Sequence, residues 1–140
     1  VKAISKLIKK NAELKSDVVA SDEFEKDERR LLNFGHTWGH AVENKLKLPH
    51  GHAVAIGMVV ACKLSEKING FKETERVISL LERYGLPTFA QVDKKEIFEV
   101  LKMDKKKEKL VMNYILLERL GKAVIKPIPL DQLEKLITVL

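Results

Sequence analysis

Ala53-Val54-Ala55-Ile56-Gly57-Met58-Val59-Val60-Ala61-Cys62 is the longest apolar run in the chain. Ten residues fall well short of the about 20 that a membrane span needs, so the run predicts a buried helix. It is apolar on nearly every side through Val60, which puts the helix at the centre of the fold. The spacing predicts this helix over residues 52–68, ended by Asn69-Gly70. Just upstream, Leu48-Pro49-His50-Gly51 is a turn. Residues 29–46 then read as one helix, although Gly35 and Gly39 weaken it. Those glycines are four apart, share a face and permit close approach of a neighbouring element. Farther out, Ile4, Leu7, Ile8, Leu14 and Val18 keep helical spacing, so residues 2–19 are predicted as an amphipathic helix. An acidic turn over residues 22–27 separates the two.

Downstream, residues 74–84 form a predicted fourth helix, stopped by Gly85 with Pro87 just beyond. Asp93-Lys94-Lys95-Glu96 is a capping box, and Ile97, Val100 and Leu101 continue a fifth helix. A lysine-rich stretch covers residues 102–109. The pattern then changes. Residues 110–117 are β-rich, 118–121 form a turn, and 123–128 are a second extended run, which together read as a β-hairpin. Pro129 leads into a last helix over residues 131–139. The expected fold is mainly α: a bundle of about six helices with one small β-hairpin near the C-terminus.

Composition narrows the function. A length of 140 residues holds one domain with a real core but not two ordinary ones. Apolar residues at 45% argue against disorder. The net charge of +6 favours anionic partners. Aromatics at 6% and the lack of a helix-turn-helix or RRM signature argue against nucleic acid. None of the seven glycines builds a G-x-G-x-x-G or a Walker loop, so no residue here is assigned to a dinucleotide. Cys62 is the lone cysteine, which excludes a disulfide scaffold and a cysteine zinc finger and fits a reducing, cytoplasmic setting. Val1-Lys2-Ala3 lacks the apolar core of a signal peptide and an initiator Met, so a shortened chain is expected. Abundant Lys, Glu, Ile, Leu and Val with scarce Gln lean towards a thermophilic source.

All four histidines fall between positions 36 and 52. His36 and His40 stand at i and i+4, one turn apart on one helix face. His50 and His52 follow at the next turn and helix start. Imidazole is the commonest metal ligand, and zinc takes N, O or S donors in a tetrahedron. Two helices meeting here could bring three imidazoles together. A histidine pair at this spacing also occurs in ordinary helices; the nearby His50 is what favours a metal. The H-E-x-x-H protease pattern is missing, because Thr37 stands where its glutamate base belongs.

These histidines sit in longer motifs. Arg29-Arg30-Leu31-Leu32-Asn33-Phe34-Gly35-His36-Thr37-Trp38-Gly39-His40-Ala41-Val42-Glu43 resembles the R-x-L-L-N-x-G-H-T-x-G-H-A-x-E signature of the 3-dehydroquinate synthase family. His50-Gly51-His52-Ala53-Val54-Ala55-Ile56-Gly57-Met58 is similar to its H-G-E-A-V-A-x-G-M segment. Lys15-Ser16-Asp17-Val18-Val19, Asp22-Glu23 and Asp104-Lys105-Lys106 resemble its K-x-x-V-V, D-E and D-K-K elements. Residues 115–123 resemble its hairpin. The resemblance runs from about residue 4 to the C-terminus.

The resemblance implies that residues 1–140 are a single helical C-terminal domain, whose partner, an N-terminal Rossmann-like NAD-binding domain, is absent from this chain. The family converts the sugar-acid phosphate DAHP into 3-dehydroquinate with phosphate release, in the shikimate pathway. It uses NAD and a divalent metal, Zn2+ or Co2+, and a homodimer is compatible with it. By resemblance, His36 and His50 are metal ligands, and His40 contacts the substrate near its phosphate and helps proton transfer. Lys15 and Arg29 match carboxylate contacts, Asn33 a further polar contact, and Lys105 or Lys106 the phosphate-side lysine. Trp38 reads as packing.

Two departures stand out. The family's third metal ligand is a glutamate in a preceding segment that this chain lacks, and Glu13 and Glu23 are not its equivalents. His52 stands where the family has glutamate, which removes a carboxylate able to orient an imidazole N–H. His52 is expected to lie at the surface or beside a ligand rather than on the metal. Alone, the chain is expected to be inactive. Alternatives are another sugar-phosphate cyclase, a degenerate relative, or a non-catalytic metal-binding module. The substrates of the other cyclases lack the carboxylate that Lys15 and Arg29 would grip. Iron/zinc alcohol and glycerol dehydrogenases share the architecture but not this combination of motifs.

Overall fold

The computed structural model describes residues 2–22, 28–104 and 110–140. The chain divides into two compact units, Val1–Asn33 and Phe34–Leu140.

The first unit is a long helix, α1 (Lys2–Ser21), followed by a 3-10 turn (Glu28–Asn33). The expected amphipathic helix is there and runs two residues farther than the apolar pattern. Its apolar stripe is uncovered: Ile4, Leu7, Ile8 and Leu14 are 58–63% exposed. Only Val18 and Val19 are half-buried. At the helix end the Ser21 hydroxyl donates to the Val18 carbonyl at 2.9 Å. The Asp22 carboxylate accepts the Arg29 N–H at 3.2 Å, which ties the 3-10 turn to the end of α1.

The second unit runs α2 (His36–Leu46), α3 (His50–Asn69), α4 (Thr74–Arg83), α5 (Lys94–Asp104), β1 (Val111–Arg119), β2 (Lys122–Pro129) and α6 (Leu130–Thr138). The mainly helical class with one small hairpin is as the sequence predicts. The central helix is α3, in which Ala53 to Gly57, Val59, Ala61, Cys62, Leu64 and Ser65 are all buried. Around it, Trp38 and Val42 of α2, Ile97 and Phe98 of α5, Met112 and Leu116 of β1, and Leu133 and Ile137 of α6 close one core. Each such side chain removed from water contributes about 1.5–3 kcal/mol. Among the described residues no helix is long and apolar enough to cross a membrane.

The expected helix over 29–46 is in fact two pieces. Gly35 takes a left-handed conformation, φ 81°, and separates the 3-10 turn from α2. The reason is the neighbouring helix. A Cβ on Gly35 would lie 2.7 Å from the Met58 backbone nitrogen, and one on Gly39 would lie 3.0 Å from the Ala53 carbonyl oxygen. From the other side, a Cβ on Gly57 would fall 1.9 Å from the Gly35 carbonyl oxygen and 2.8 Å from the Gly39 nitrogen. The three glycines therefore let the α2 and α3 backbones touch.

The turn before α3 is also shorter than expected. Pro49, at φ −54°, is the residue ahead of the helix, so His50 is its first residue. The Pro49 carbonyl accepts N–H groups from His52 at 2.9 Å and Ala53 at 3.1 Å. At α5, Asp93 caps as predicted, its carboxylate accepting the Lys95 N–H at 2.8 Å and the Glu96 N–H at 3.4 Å. Glu96 itself pairs with Lys45 of α2 at 2.7 Å.

The hairpin is antiparallel, with Met112 opposite Ile128 and Ile115 opposite Ile125, and its register breaks between Leu117 and Arg119. Two side chains of α3 fill the gap. The buried Ser65 hydroxyl accepts the Leu117 N–H at 2.8 Å while donating to the Ala61 carbonyl at 2.7 Å. The Asn69 amide donates to the Leu117 carbonyl at 3.2 Å. The hairpin is thus fastened to the helix that carries His50.

Candidate metal centre

The glycine contact fixes α2 against the first turns of α3, so the histidines at the two helix starts meet. Ring centroids lie 5.3 Å apart for His36 and His40, 5.3 Å for His36 and His50, and 5.8 Å for His40 and His50. One nitrogen from each of the three rings lies within 4.8 Å of the others. His36 is half-buried, whereas His40 and His50 are exposed, so the cluster opens to solvent.

Two rings are held from behind. His36 Nδ1 lies 3.3 Å from the Phe34 carbonyl oxygen. A carbonyl can only accept, so this bond puts the proton on Nδ1 and leaves Nε2 as a lone-pair donor. His50 Nδ1 lies 2.9 Å from Glu43 Oε2, with the same consequence. A metal-ligating imidazole usually has such a carbonyl or carboxylate behind it. Neutral nitrogen donors at this spacing suit a zinc- or cobalt-class divalent ion.

Glu43 is the residue of the site that the signature leaves without a role. The signal was its spacing: His36, His40 and Glu43 stand at i, i+4 and i+7, on one face of α2. Glu43 supplies for His50 a carboxylate of the kind that the His52 replacement removes. His52 is half-buried and is not among the three converging rings. Cys62 offers no ligand, because burial first, and the charge of Glu66 next, push its thiol up to about 12. Trp38 is buried in the core and packs.

The other sequence-predicted residues belong to the first unit or lie outside the described residues. Lys15 is exposed on α1, Arg29 is half-buried in the 3-10 turn, and Asn33 is exposed at its end. Lys105 and Lys106 lie outside the described residues. A groove of about 340 Å³ between α4 and the hairpin tip, edged by Arg76, Leu80, Arg83 and Leu120, contains none of them.

Residues 1–107 match the family model described as 3-dehydroquinate synthase C-terminal. The chain is 42% identical over 137 residues to the 3-dehydroquinate synthase of Thermoanaerobacter pseudethanolicus, covering 94% of this chain and 38% of that protein. It is 46% identical over 122 residues to the one from Methylacidiphilum infernorum, covering 82% of this chain and 34% of that protein. The chain thus spans well under half the length of these relatives. Among solved structures it is similar to a 2-deoxy-scyllo-inosose synthase complexed with carbaglucose-6-phosphate, NAD+ and Co2+. The TM-score there is 0.82 at 26% identity, over 97% of this chain and 41% of that one. The 2-epi-5-epi-valiolone synthase of Streptomyces hygroscopicus subsp. jinggangensis, with NAD+ and Zn2+ bound, gives a TM-score of 0.80. At 21% identity, over 99% of this chain and 40% of that one, it is a likeness of fold alone.

Proposed function

This chain belongs to the 3-dehydroquinate synthase C-terminal family, and on that premise we propose that it is the helical, metal-holding part of a 3-dehydroquinate synthase. The reaction is conversion of DAHP to 3-dehydroquinate with release of phosphate, in the cytoplasm. The observation that carries this reading is the convergence of His36, His40 and His50, with Nδ1 of His36 and His50 tied behind.

His36 and His50 hold the divalent ion. When bound, that ion supplies Lewis acidity to a substrate hydroxyl. Glu43 keeps the His50 ring in the tautomer that donates from Nε2. His40, exposed beside the pair, faces the phosphate end of the substrate and handles a proton there. Lys15 and Arg29 grip the carboxylate, a role that suits a fixed guanidinium and a flexible ammonium. Asn33 adds a polar contact, and Lys105 or Lys106 pairs with phosphate. NAD is bound by the complementary N-terminal part, since this chain has no glycine-rich phosphate loop.

The test is phosphate release from DAHP with NAD and Zn2+. The chain alone gives no turnover. Adding the complementary N-terminal part of the Thermoanaerobacter relative gives turnover that His36→Ala abolishes. Robust turnover by the chain alone, or restored turnover indifferent to His36, overturns the assignment.

A second reading, a domain of another sugar-phosphate cyclase, is favoured by the fold likeness to 2-deoxy-scyllo-inosose synthase. Lys15 and Arg29 weigh against it, because a carboxylate-free substrate has no use for that pair. Turnover of a hexose phosphate in preference to DAHP by the complemented enzyme would reverse the order.

A further inference from the structure

The groove between α4 and the hairpin tip has a volume of about 340 Å³ and contains no histidine. Val77 and Leu80 of α4 and Leu120 of the hairpin turn give it an aliphatic lining, and Arg76 and Arg83 stand at its edge. Val77 and Leu120 are half-buried, whereas Leu80 is 55% exposed. Both walls belong to the second compact unit.

One carboxylate fastens the two walls. Glu73 Oε2 accepts the Leu120 N–H at 3.5 Å, and its Oε1 accepts from Arg76 at 3.0 Å. That contact offsets the Arg76 charge. Arg83 has no carboxylate partner among the described residues. Arg76, Leu80 and Arg83 stand at i, i+4 and i+7, on one face of α4. Two turns of helix set the arginines about 10.5 Å apart along the axis, with Leu80 between them. The groove therefore offers an apolar strip with an unmatched cation at one end.

A guanidinium has five N–H donors and no acceptor, and a carboxylate meets it with two parallel bonds. The exposed Leu80 side chain gains from an apolar body laid over it. The volume sits at the lower end of the about 300–1,000 Å³ found for small-molecule clefts. A protein partner needs about 800 Å² on each side, far more than the six lining residues present. We propose that this groove binds a small amphipathic anion, with its carboxylate on Arg83 and its apolar body along Leu80, Val77 and Leu120. The site is separate from the metal reading and needs neither the ion nor the complementary N-terminal part.

Octanoate is the probe, followed through the amide chemical shifts of the isotope-labelled 140-residue chain, with octanol as its uncharged counterpart. Saturable shifts are expected at Val77, Leu80, Arg83 and Leu120. Arg83→Gln should weaken binding at least about tenfold, as loss of a charge-assisted bond does, and octanol should bind weaker by a similar factor. Arg76→Gln should cost less, because Glu73 already holds that guanidinium. Leu80→Glu should abolish binding. These side chains are exposed, so thermal melts should match the parent chain. The proposal is overturned if no saturable shift appears, if the shifts are confined to the apolar stripe of α1, or if octanol binds as tightly. It is equally overturned if Arg83→Gln leaves the affinity unchanged or Arg76→Gln costs more. Self-association that Leu80→Glu abolishes, without saturable octanoate binding, would give the groove to a second copy instead.

Discussion

A methyl group at position 57 would land 1.9 Å from the Gly35 carbonyl oxygen, with backbone on the receiving side and nothing flexible to yield. Gly57→Ala must therefore push α2 away from α3. Overpacking of this kind costs about 1–3 kcal/mol and at backbone contacts more, so a loss of about 3 kcal/mol is expected in urea denaturation. Co2+ affinity should fall with it, since His36 and His40 move relative to His50. Unchanged stability would mean that the two backbones do not touch. Cys62 gives a second residue-scale prediction. Its thiol is raised from 9.0 to about 12 in the fold. The unfolded chain loses that proton first, so the contribution to stability is whole below pH 9.0 and is lost as pH rises towards about 12. Burial also raises the Tyr114 phenol, which acts in the same direction. Stability should decline above pH 9, and less steeply in Cys62→Ala; equal slopes would remove the thiol from the account. At this scale the histidine cluster was legible. His36 and His40 are readable because a helix places i and i+4 together. The Glu43–His50 bond was not, because it spans a turn whose length and helix start had to be known first.

Among elements, the hairpin shows what local pattern can and cannot reveal. Its β-rich residues and the Leu120-Gly121 turn mark it in the sequence. Its irregularity at Leu117 does not, because the groups that satisfy that backbone, Ser65 and Asn69, are 52 and 48 residues away. Ser65→Ala leaves a buried N–H without a partner. It should cost about 1–3 kcal/mol and speed amide exchange at Leu117; an effect confined to a few tenths would show that the backbone finds another acceptor. The break at Gly35 was hidden for a related reason. Gly35 and Gly39 weaken the helix locally, but Leu31, Leu32 and Phe34 carry an apolar pattern up to Gly35, and what fixes the break there is contact with α3, which spans more than 20 residues of sequence.

For the molecule as a whole, the chain spans 38% of the length of its Thermoanaerobacter relative. The mainly helical class was readable from periodicity, because α3 is apolar all round and the other helices of the second unit are apolar on the side that meets the core. The stripe on α1 was readable as amphipathic, but the pattern cannot say what covers it. Lys15 falls within that stripe by helical spacing, between the directions of Ile4 and Ile8. The proposed function therefore predicts that α1 amides exchange quickly in the isolated chain and slow when the complementary part is added. Leu7→Glu with Leu14→Glu should weaken that protection and the restored turnover together. Slow exchange in the isolated chain would show that α1 is already stabilised.

The helix starts have one more consequence. His36 opens α2 and His50 opens α3, so both helices aim their N-terminal ends at the cluster. Each such end carries about half a positive charge, which the Glu43 carboxylate behind His50 offsets in part while the imidazoles bring no negative charge. A dication held there therefore keeps an excess of positive charge. The energetics then favour an anion beside it: phosphate or carboxylate gains from the ion and from both helix dipoles. Co2+ should bind more tightly in phosphate than in a non-coordinating buffer of equal ionic strength, by calorimetry, and added salt should shrink the difference. A cation site framed in this way is selective for acidic ligands through its backbone, before any lysine or arginine is counted.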